Sequence, residues 1–575
     1  MPNPLLRSTL AGTCLTLIAC AGPGGGPLHD ASPDPQASAA ADAPAPPAER
    51  ELVSLPETVE LGMIVAALKE RSREGYRQTR ASGPYLDAVL SHFGEYADMP
   101  AVTRLPFGFN LPRLAGNAAD FTLTEDGRLV EIDTSGSIWD DPEGDLFRRL
   151  RDELEAFAAA SDFRSFYDSH RDTYAALIDA TTTMIDPHDM RVWLREEFTA
   201  RPGRVEIFVS PLIGGLHWTT LAKPTQRIWI SAPAAGVAET ASALDRTRAG
   251  RRVFTEMDHG YVNPATAAFE DEIAVAFADT DLWATERAAR SYASPQLRFD
   301  EYMTWATYLL YARDRLSAAD FEELKPELVA FMEDRRGFFA FGDFADALLA
   351  VDAASDGTVE STIPAMVEWA RRHALAAELA RMHEVDQVAA AWPQGEYAEL
   401  SDEEWNAFKD SVFTAHQRRA EEIFGAWGYI GDDVAGRETS THFWLLVQHS
   451  DHAPGFQREV LEALADEVAR GNAKPNHLAL LTDRVRLNAG QPQLYGTQVR
   501  YVFADARAYP RPLAEPGTVD ERRAAIGLEP LIEHLNSMTR LNFRVNRERH
   551  LEEGVTEPNL WGAGEIEDAI EDEGH

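Results

Sequence analysis

The chain has 575 residues, of which 26% are charged and 45% hydrophobic, a composition that favours several folded domains over a disordered chain. Its 54 Lys and Arg residues against 94 Asp and Glu give a formal net charge of −40. Such an acidic surface repels phosphate backbones, so we expect no nucleic-acid partner. Cys14 and Cys20 are the two cysteines, which excludes a disulfide scaffold, a zinc site built from four cysteines and a cysteine nucleophile in the rest of the chain.

The first 19 residues have the composition of a secretory signal. They combine one basic residue, Arg7, with a short apolar stretch that is too short to span a bilayer. The stretch ends in the letters LIAC, which resemble the bacterial lipoprotein signal. In that family the cysteine, here Cys20, is acylated and becomes the first residue of the mature chain. The alternative is an ordinary signal peptide, residues 1–19, with a chance cysteine.

Residues 20–50 are expected to form a tether behind the lipid. The thirty residues that follow Cys20 contain seven prolines, and such a composition predicts an extended, unpacked spacer. Ala21 stands where lipoproteins retained at the inner membrane carry an aspartate. The resemblance therefore implies a cell-envelope protein, anchored by its lipid on the periplasmic side of the outer membrane if the cell has one.

The body of the chain predicts an α+β fold followed by a mostly helical domain. Apolar spacing of three and four predicts helices at 59–73, 145–158, 163–180, 187–198, through most of 241–349, and at 364–388, 402–427, 441–448, 455–470 and 475–488. Strand-like runs lie at 121–123, 129–132, 205–209, 217–221 and 227–230, the first two flanking a Glu-Asp-Gly turn. We place domains at 51–380 and 381–540, and an acidic, solvated tail at 541–575.

The most informative motif begins at Thr255. Thr255 and His259 are four residues apart on one helix, so they point the same way, and Glu256 lies beside them. Pro264 predicts the end of this helix. In the zincin motif H-E-x-x-H two histidines bind zinc and the glutamate activates water, and here a threonine occupies the first histidine position.

The ten letters TEMDHGYVNP resemble the HExxHxxxNP segment of an uncharacterised bacterial family with a zincin-like metallopeptidase domain. The segments at 166–170 and 208–215 resemble the upstream helix and the strand with its glycine turn in the same family. The resemblance implies a mixed sheet with an active-site helix, a zinc cofactor, Glu256 as general base and His259 as a ligand. The third ligand is an acid further along the chain, and we assign it to Glu301.

Threonine is a poor zinc ligand, so three interpretations stay open. In the first, the site is degenerate and the fold binds a peptide or an envelope protein. In the second, His217 beside the glycine turn, or Asp258, replaces the missing ligand and the domain remains a zinc-dependent peptidase. In the third, Glu256 is a surface acid and His259 a favourable charge at a helix C-terminus.

Three motifs in the second domain, LLVQHSD, DRV and QLYGTQ, resemble a small helical bacterial domain of unknown function over about 381–535. The Asp386-Gln387 start of that domain is present, but the arginine expected soon after it is missing. The resemblance implies no activity. Six polar residues are candidates for a pocket that binds a ligand or does acid–base chemistry, the alternative being a polar network that fixes helix packing: His449, Asp451, Asp483, Arg484, Tyr495 and Gln498.

Overall fold

A computed structural model of the protein describes residues 52–71, 77–106, 108–132, 145–215, 217–222, 225–231, 240–391, 393–562 and 564–565. The predicted signal, Cys20 and the tether lie outside these described residues. The chain divides into two compact units, Met1–Arg371 and Arg372–His575. None of the described helices is both long enough and apolar enough to cross a bilayer.

The fold is mixed α+β, as predicted, with small sheets and a mainly helical C-terminal unit. The strands of the first unit are β1 (Leu52–Ser54), β2 (Phe121–Leu123), β3 (Leu129–Glu131), β4 (Arg204–Ser210), β5 (Trp218–Ala222) and β6 (Thr225–Ser231). The strands of the second unit are β7 (Val499–Val502) and β8 (Arg507–Pro510), an antiparallel pair.

Helices make up most of both units. Those up to the division are α1 (Glu57–Glu70), α2 (Pro84–Phe93), α3 (Pro100–Thr103), α4 (Leu111–Ala115), α5 (Leu146–Arg149), α6 (Arg151–Ala160), α7 (Phe163–Ser169), α8 (Arg171–Ile185), α9 (Pro187–Glu197), α10 (Ala243–Met257), α11 (His259–Thr266), α12 (Glu270–Ala276), α13 (Thr280–Trp283), α14 (Glu286–Ser291), α15 (Pro295–Arg313), α16 (Ala318–Ala330) and α17 (Phe341–Ala353). The division falls within α18 (Val359–Ala390). The rest are α19 (Asp402–Trp427), α20 (Asp432–Gln448), α21 (Pro454–Ala469), α22 (Pro475–Asn488), α23 (Val519–Ala525), α24 (Leu531–Val545) and α25 (Arg547–Glu552).

The main sheet of the first unit has four strands in the order β1-β4-β6-β5. β1, β4 and β6 run parallel, and β5 pairs antiparallel with β6 at one edge. Trp218 of β5 lies opposite Trp229 of β6, and their stacked rings are 5.3 Å apart. Most residues of β4 and β6 are buried, because helices such as α10 cover the sheet.

A buried carboxyl group joins helix α1 to this sheet. Glu60 of α1 is fully buried, and it accepts hydrogen bonds from Ser210 Oγ at 2.7 Å and from the Tyr85 hydroxyl at 2.8 Å. Burial raises the pKa of Glu60 to about 7, although these two hydrogen bonds act in the opposite direction. The contact therefore stabilises the unit most when the carboxyl is protonated.

Two of the differences between the sequence predictions and the structure concern the motif helix and the acidic tail. The helix expected to end at Pro264 breaks earlier, at Asp258, and α11 then continues through Pro264 to Thr266. The acidic tail expected from residue 541 is folded as far as Trp561. The Trp561 side chain is 7% exposed and its Nε1 donates to the Ala508 carbonyl at 2.8 Å, so burial of this large apolar ring holds an otherwise acidic segment.

We expect Glu60→Gln to remove a pH-dependent loss of stability. The carboxyl ionises near pH 4.5 when unfolded and near pH 7 when folded, so its stabilising contribution is full below pH 4.5 and is lost as the pH rises through 7. Glutamine mimics the neutral acid. Relative to wild type, the variant's free energy of unfolding should therefore increase by up to about 3 kcal/mol between pH 4.5 and 7.5, measured by urea unfolding. The exposed Glu95→Gln is the control, and an equal difference at both pH values would contradict the raised pKa.

Candidate functional site

The structure brings four of the residues predicted from the first motif into one buried region. His217 lies directly before β5, Glu256 is in the last turn of α10, His259 begins α11, and Glu301 is on α15. Each of the four is at most 4% exposed. The break between α10 and α11 at Asp258 places Glu256 and His259 on two different helices, and both side chains remain in the core.

His259 and Glu301 face each other through atoms that are free to bind. His259 Nε2 and Glu301 Oε2 are 4.0 Å apart. The opposite atom of each side chain is already held: His259 Nδ1 is 3.0 Å from Asn263 Oδ1, and Glu301 Oε1 accepts from Trp305 Nε1 at 2.7 Å. Such outer contacts fix the orientation of a ligand and, for histidine, its tautomer. Because the Asn263 oxygen accepts, the proton is on Nδ1 and Nε2 carries a lone pair.

His217 and Glu256 form the second facing pair. His217 Nε2 is 3.8 Å from Glu256 Oε1, and the ring also hydrogen-bonds the backbone of Gly215. Among the described residues, no hydrogen bond of ordinary geometry reaches either oxygen of Glu256, His217 Nε2, His259 Nε2 or Glu301 Oε2. We refer to these atoms as the unpaired donors, meaning atoms that can give an electron pair to a metal ion and that accept no hydrogen bond of ordinary geometry from the described residues. Buried polar atoms of native proteins nearly always have a partner, so their gathering here needs a cause.

Arg336 supplies the positive charge of the region. It is in the π-helical segment Phe331–Arg336, and its NH1 forms an ion pair with Glu301 Oε1, leaving Oε2 unpaired. Its guanidinium also hydrogen-bonds the Tyr292 hydroxyl and lies 4.7 Å from the centroid of the Trp305 ring. The arginine thus holds one side of the carboxylate in the same way that Trp305 does.

Burial controls the protonation of these groups. It raises the pKa of Glu256 well above its usual value, nearby Glu301 adds to the effect, and Arg336 and the nearby backbone of Thr219 oppose it. Burial lowers the pKa of His217 to about 3, with further lowering by Arg252 and Arg336. Burial also lowers the pKa of His259, against the effects of Glu301 and Asn263. Both imidazoles are therefore neutral at pH 7, which is the form that binds metal ions.

Thr255 behaves differently from these four, whereas Asp258 is similar to them, because both of its buried oxygens also lack a hydrogen-bond partner among the described residues. The Thr255 hydroxyl donates to the Arg251 carbonyl of its own helix at 3.0 Å. A neutral hydroxyl is a poor zinc ligand, so Thr255 does not replace the missing histidine. Asp258 is fully buried, and its pKa is raised well above the usual value by burial and by Glu256 and Glu301. The interpretation of Glu256 as a surface acid and His259 as a terminal helix charge is wrong, because both side chains are buried.

The unpaired donors are of the chemical types that bind metal ions, but they are not arranged around one point. Within the described ranges, no three His, Cys, Asp or Glu side chains stand in the arrangement of a formed metal centre. Two ligands of one tetrahedral zinc lie about 3.4 Å apart, as follows from bonds of about 2.0–2.1 Å. The separation of 4.0 Å between His259 and Glu301 is a few tenths of an ångström wider than this. His217 approaches Glu256, at 3.8 Å, so the four side chains form two facing pairs and no closed ligand set within the described part of the chain.

Sequence reasoning missed three supporting residues: Asn263, Trp305 and Arg336. Asn263 follows His259 by four residues and Trp305 follows Glu301 by four, so helical spacing could have identified both. Arg336 comes from a separate segment 35 residues beyond Glu301, and only the tertiary structure brings the two together.

In the second unit, the six predicted polar residues divide into two groups. Asp483 is fully buried and accepts from the backbone N–H groups of Leu494 at 2.7 Å, Tyr495 at 2.9 Å and Thr497 at 2.9 Å. These hydrogen bonds stabilise the loop after α22. Asp483 and the Tyr495 backbone therefore belong to a structural polar network, which was the alternative to a pocket. Gly496, at φ +67°, completes the turn.

The other group borders a cleft of about 570 Å³, into which His449, Asp451 and Arg484 project. Arg484 NH1 donates to Asp451 Oδ2 at 2.7 Å, and its NH2 donates to Gln498 Oε1 at 3.3 Å. His449 Nδ1 is 2.7 Å from Oδ2 of Asp386, a residue that was not among the predicted site residues.

Residues 374–542 match a family of unknown function, DUF6624. This match confirms that the C-terminal region contains a domain of unknown function, which the three motifs predicted. No curated protein and no solved structure matches the chain.

Removing Arg336 would leave the Glu301 carboxylate buried without its cation. We expect Arg336→Met to lower the free energy of unfolding by about 3–5 kcal/mol, measured by urea unfolding, because a buried charge then lacks a partner. Adding Glu301→Gln to this variant restores part of the loss. Arg335→Met changes an exposed neighbour and serves as the control. Equal stability of Arg336→Met and Arg335→Met would show that the buried ion pair does not form.

Proposed function

We propose that the first unit is a divalent-metal-dependent peptidase in which His217 replaces the missing motif histidine. The gathering of the unpaired donors on His217, Glu256, His259 and Glu301 carries this proposal. A buried polar atom without a partner costs about 1–3 kcal/mol, so several of them in one place are expensive unless something binds there. A divalent cation satisfies imidazole nitrogens and carboxylate oxygens together.

The surroundings of the donors support a metal site. His259, His217 and Glu301 are each held from the opposite side, by Asn263, the Gly215 backbone, and the pair Trp305 and Arg336. Metal ligands in proteins have this second layer of contacts. The mixed sheet with helix α10 packed on it also agrees with the mixed sheet and active-site helix that the resemblance of the motif implies.

In this proposal His217, His259 and Glu301 would hold zinc, and Glu256 would remain free for proton transfer. The metal would supply Lewis acidity for a peptide carbonyl and for water. Glu256 accepts a proton at one of its two unpaired oxygens and returns it to the leaving amine. Burial, which raises the pKa of Glu256, suits a base that must hold this proton between the two steps.

A second candidate function is peptide or partner binding by a degenerate site. The observation that favours it is the ion pair between Arg336 and Glu301, since a guanidinium already compensates the carboxylate that would be the third ligand. In this case the unpaired donors would hydrogen-bond an occupant of the old substrate cleft, an extended peptide or an envelope protein.

We also propose that the protein acts in the cell envelope, bound by a lipid on Cys20 and spaced from the membrane by residues 20–50. The LIAC letters and the proline-rich stretch support this location. Extraction into a detergent phase that is lost in Cys20→Ser would test the anchor.

Metal content distinguishes the two candidate functions. Purified wild-type protein incubated with zinc and desalted should retain about one zinc ion per chain, measured by plasma mass spectrometry. His217→Ala and His259→Ala should each lose at least about nine-tenths of it, since a three-ligand site tolerates no such deletion. The exposed His188→Ala is the control for the loss of a histidine. Absence of zinc from wild type, or full retention by His217→Ala, would contradict the proposed ligand set.

The role of Glu256 is tested separately. Glu256→Gln should retain zinc and lose hydrolysis of a fluorescent casein substrate by at least about a hundredfold, because a general base contributes that much or more. A chelator should abolish the wild-type activity. Retained zinc with undiminished cleavage in Glu256→Gln would show that this glutamate is not the base.

A further inference from the structure

We propose that the second unit carries its own acid–base site, in which His449 is the catalytic residue, Asp386 positions it, and an uncharged acyl ester is the class of substrate. The juxtaposition of a buried carboxylate, an imidazole and an open cleft carries this inference. It is independent of the metal site proposed in the first unit, since every residue involved lies in the region that matches DUF6624.

Asp386 is placed as a positioning residue. It is near the end of α18, is fully buried, and accepts from His449 Nδ1 at Oδ2 over 2.7 Å. His416 Nδ1 lies 3.9 Å from its other oxygen. Burial alone would raise the pKa of Asp386, but the nearby His416 imidazole and the hydrogen bond from His449 outweigh burial and leave this pKa below its usual value. Asp386 is therefore a carboxylate at neutral pH.

A carboxylate acceptor fixes the tautomer of the histidine. The proton of neutral His449 lies on Nδ1, and Nε2 keeps a lone pair. Within the described part of the chain no hydrogen bond is made by Nε2, and the side chain is 21% exposed where it borders the cleft. The Phe413 ring, with its centroid 5.3 Å from that of His449, covers one side of the imidazole. This is the arrangement of a base held by a buried acid and open to a ligand.

The charges of the cleft favour an uncharged substrate. Asp410 and Asp451 contribute two carboxylates and Arg484 one guanidinium, so this lining has a net charge of about −1 with neutral imidazoles and disfavours phosphate or carboxylate groups. Arg484 donates hydrogen bonds to Asp451 and Gln498. A guanidinium on the cleft wall can stabilise the oxyanion that forms when a carbonyl is attacked.

The proposed step is ester hydrolysis with water as the nucleophile. Nε2 of His449 takes a proton from water while the water oxygen forms a bond to the carbonyl carbon. The carbon–oxygen bond to the leaving alcohol then breaks, and the alkoxide takes the proton back from Nε2. One ester and one water give one carboxylic acid and one alcohol, and no other reactant is required.

The test uses p-nitrophenyl acetate as the probe, with EDTA present so that a zinc site in the first unit cannot contribute. Wild-type protein should hydrolyse the ester at least about tenfold faster than His449→Ala. Free imidazole should rescue that variant, which means a rate above the sum of the rates measured with imidazole alone and with the variant alone. His449→Gln, whose amide can still donate to Asp386, should be as slow as His449→Ala. Asp386→Asn should lose at least about tenfold, and His188→Ala should match wild type.

The tautomer of His449 provides a readout that packing alone would not change. In wild-type protein with 15N-labelled histidine, the ring should show a protonated Nδ1 and an unprotonated Nε2, and Asp386→Asn should remove this preference. A wild-type rate no higher than that of His449→Ala would overturn the proposal. So would a failure of imidazole to rescue His449→Ala, or an unchanged rate and tautomer in Asp386→Asn.

Discussion

The ion pair between Arg336 and Glu301 is the interaction on which the candidate site of the first unit depends. A carboxylate in a protein core is tolerated when a cation and hydrogen bonds compensate it, and here a guanidinium and an indole bind the same oxygen. The other oxygen is thereby left pointing at His259, 4.0 Å away. The cost of burying these groups must be offset by the apolar packing around them, which includes the fully buried Phe299 and Tyr302 on the same helix.

Two local features of the fold position His217 and His259. Edge strand β5 is antiparallel to β6, and His217 lies directly before it. The helix break at Asp258 turns α10 into α11, so that His259 starts a new helix and bonds Asn263 one turn later. These two features orient the imidazoles of His217 and His259, which burial keeps neutral. Burial raises the pKa of Glu256, and the raised pKa suits its proposed role of accepting and returning a proton. The energetic cost of burying this carboxyl and its proposed chemistry therefore have the same cause.

Much of the fold followed from periodicity, and the site followed only in part. The hairpin of β2 and β3 and helices such as α19 and α22 were predicted at or near their observed bounds, because alternation and helical spacing are local signals. Pairs such as Arg336 with Glu301 and Asp386 with His449 are set by tertiary packing between segments 35 and 63 residues apart, which no local pattern encodes. Trp561 was assigned to a solvated tail because its acidic neighbours dominated the local composition, although its buried ring and its hydrogen bonds with Asn536 hold the segment to the second unit.

The central claim is that His217, His259 and Glu301 share one divalent cation. Crystals grown with zinc and measured on both sides of the zinc absorption edge test it most directly. The account predicts an anomalous difference peak within about 2.0–2.3 Å of His217 Nε2, His259 Nε2 and Glu301 Oε2, with Arg336 and Trp305 still on the other oxygen. Ordered side chains at these positions with no anomalous peak among them would contradict the account and leave peptide or partner binding as the function of the unit.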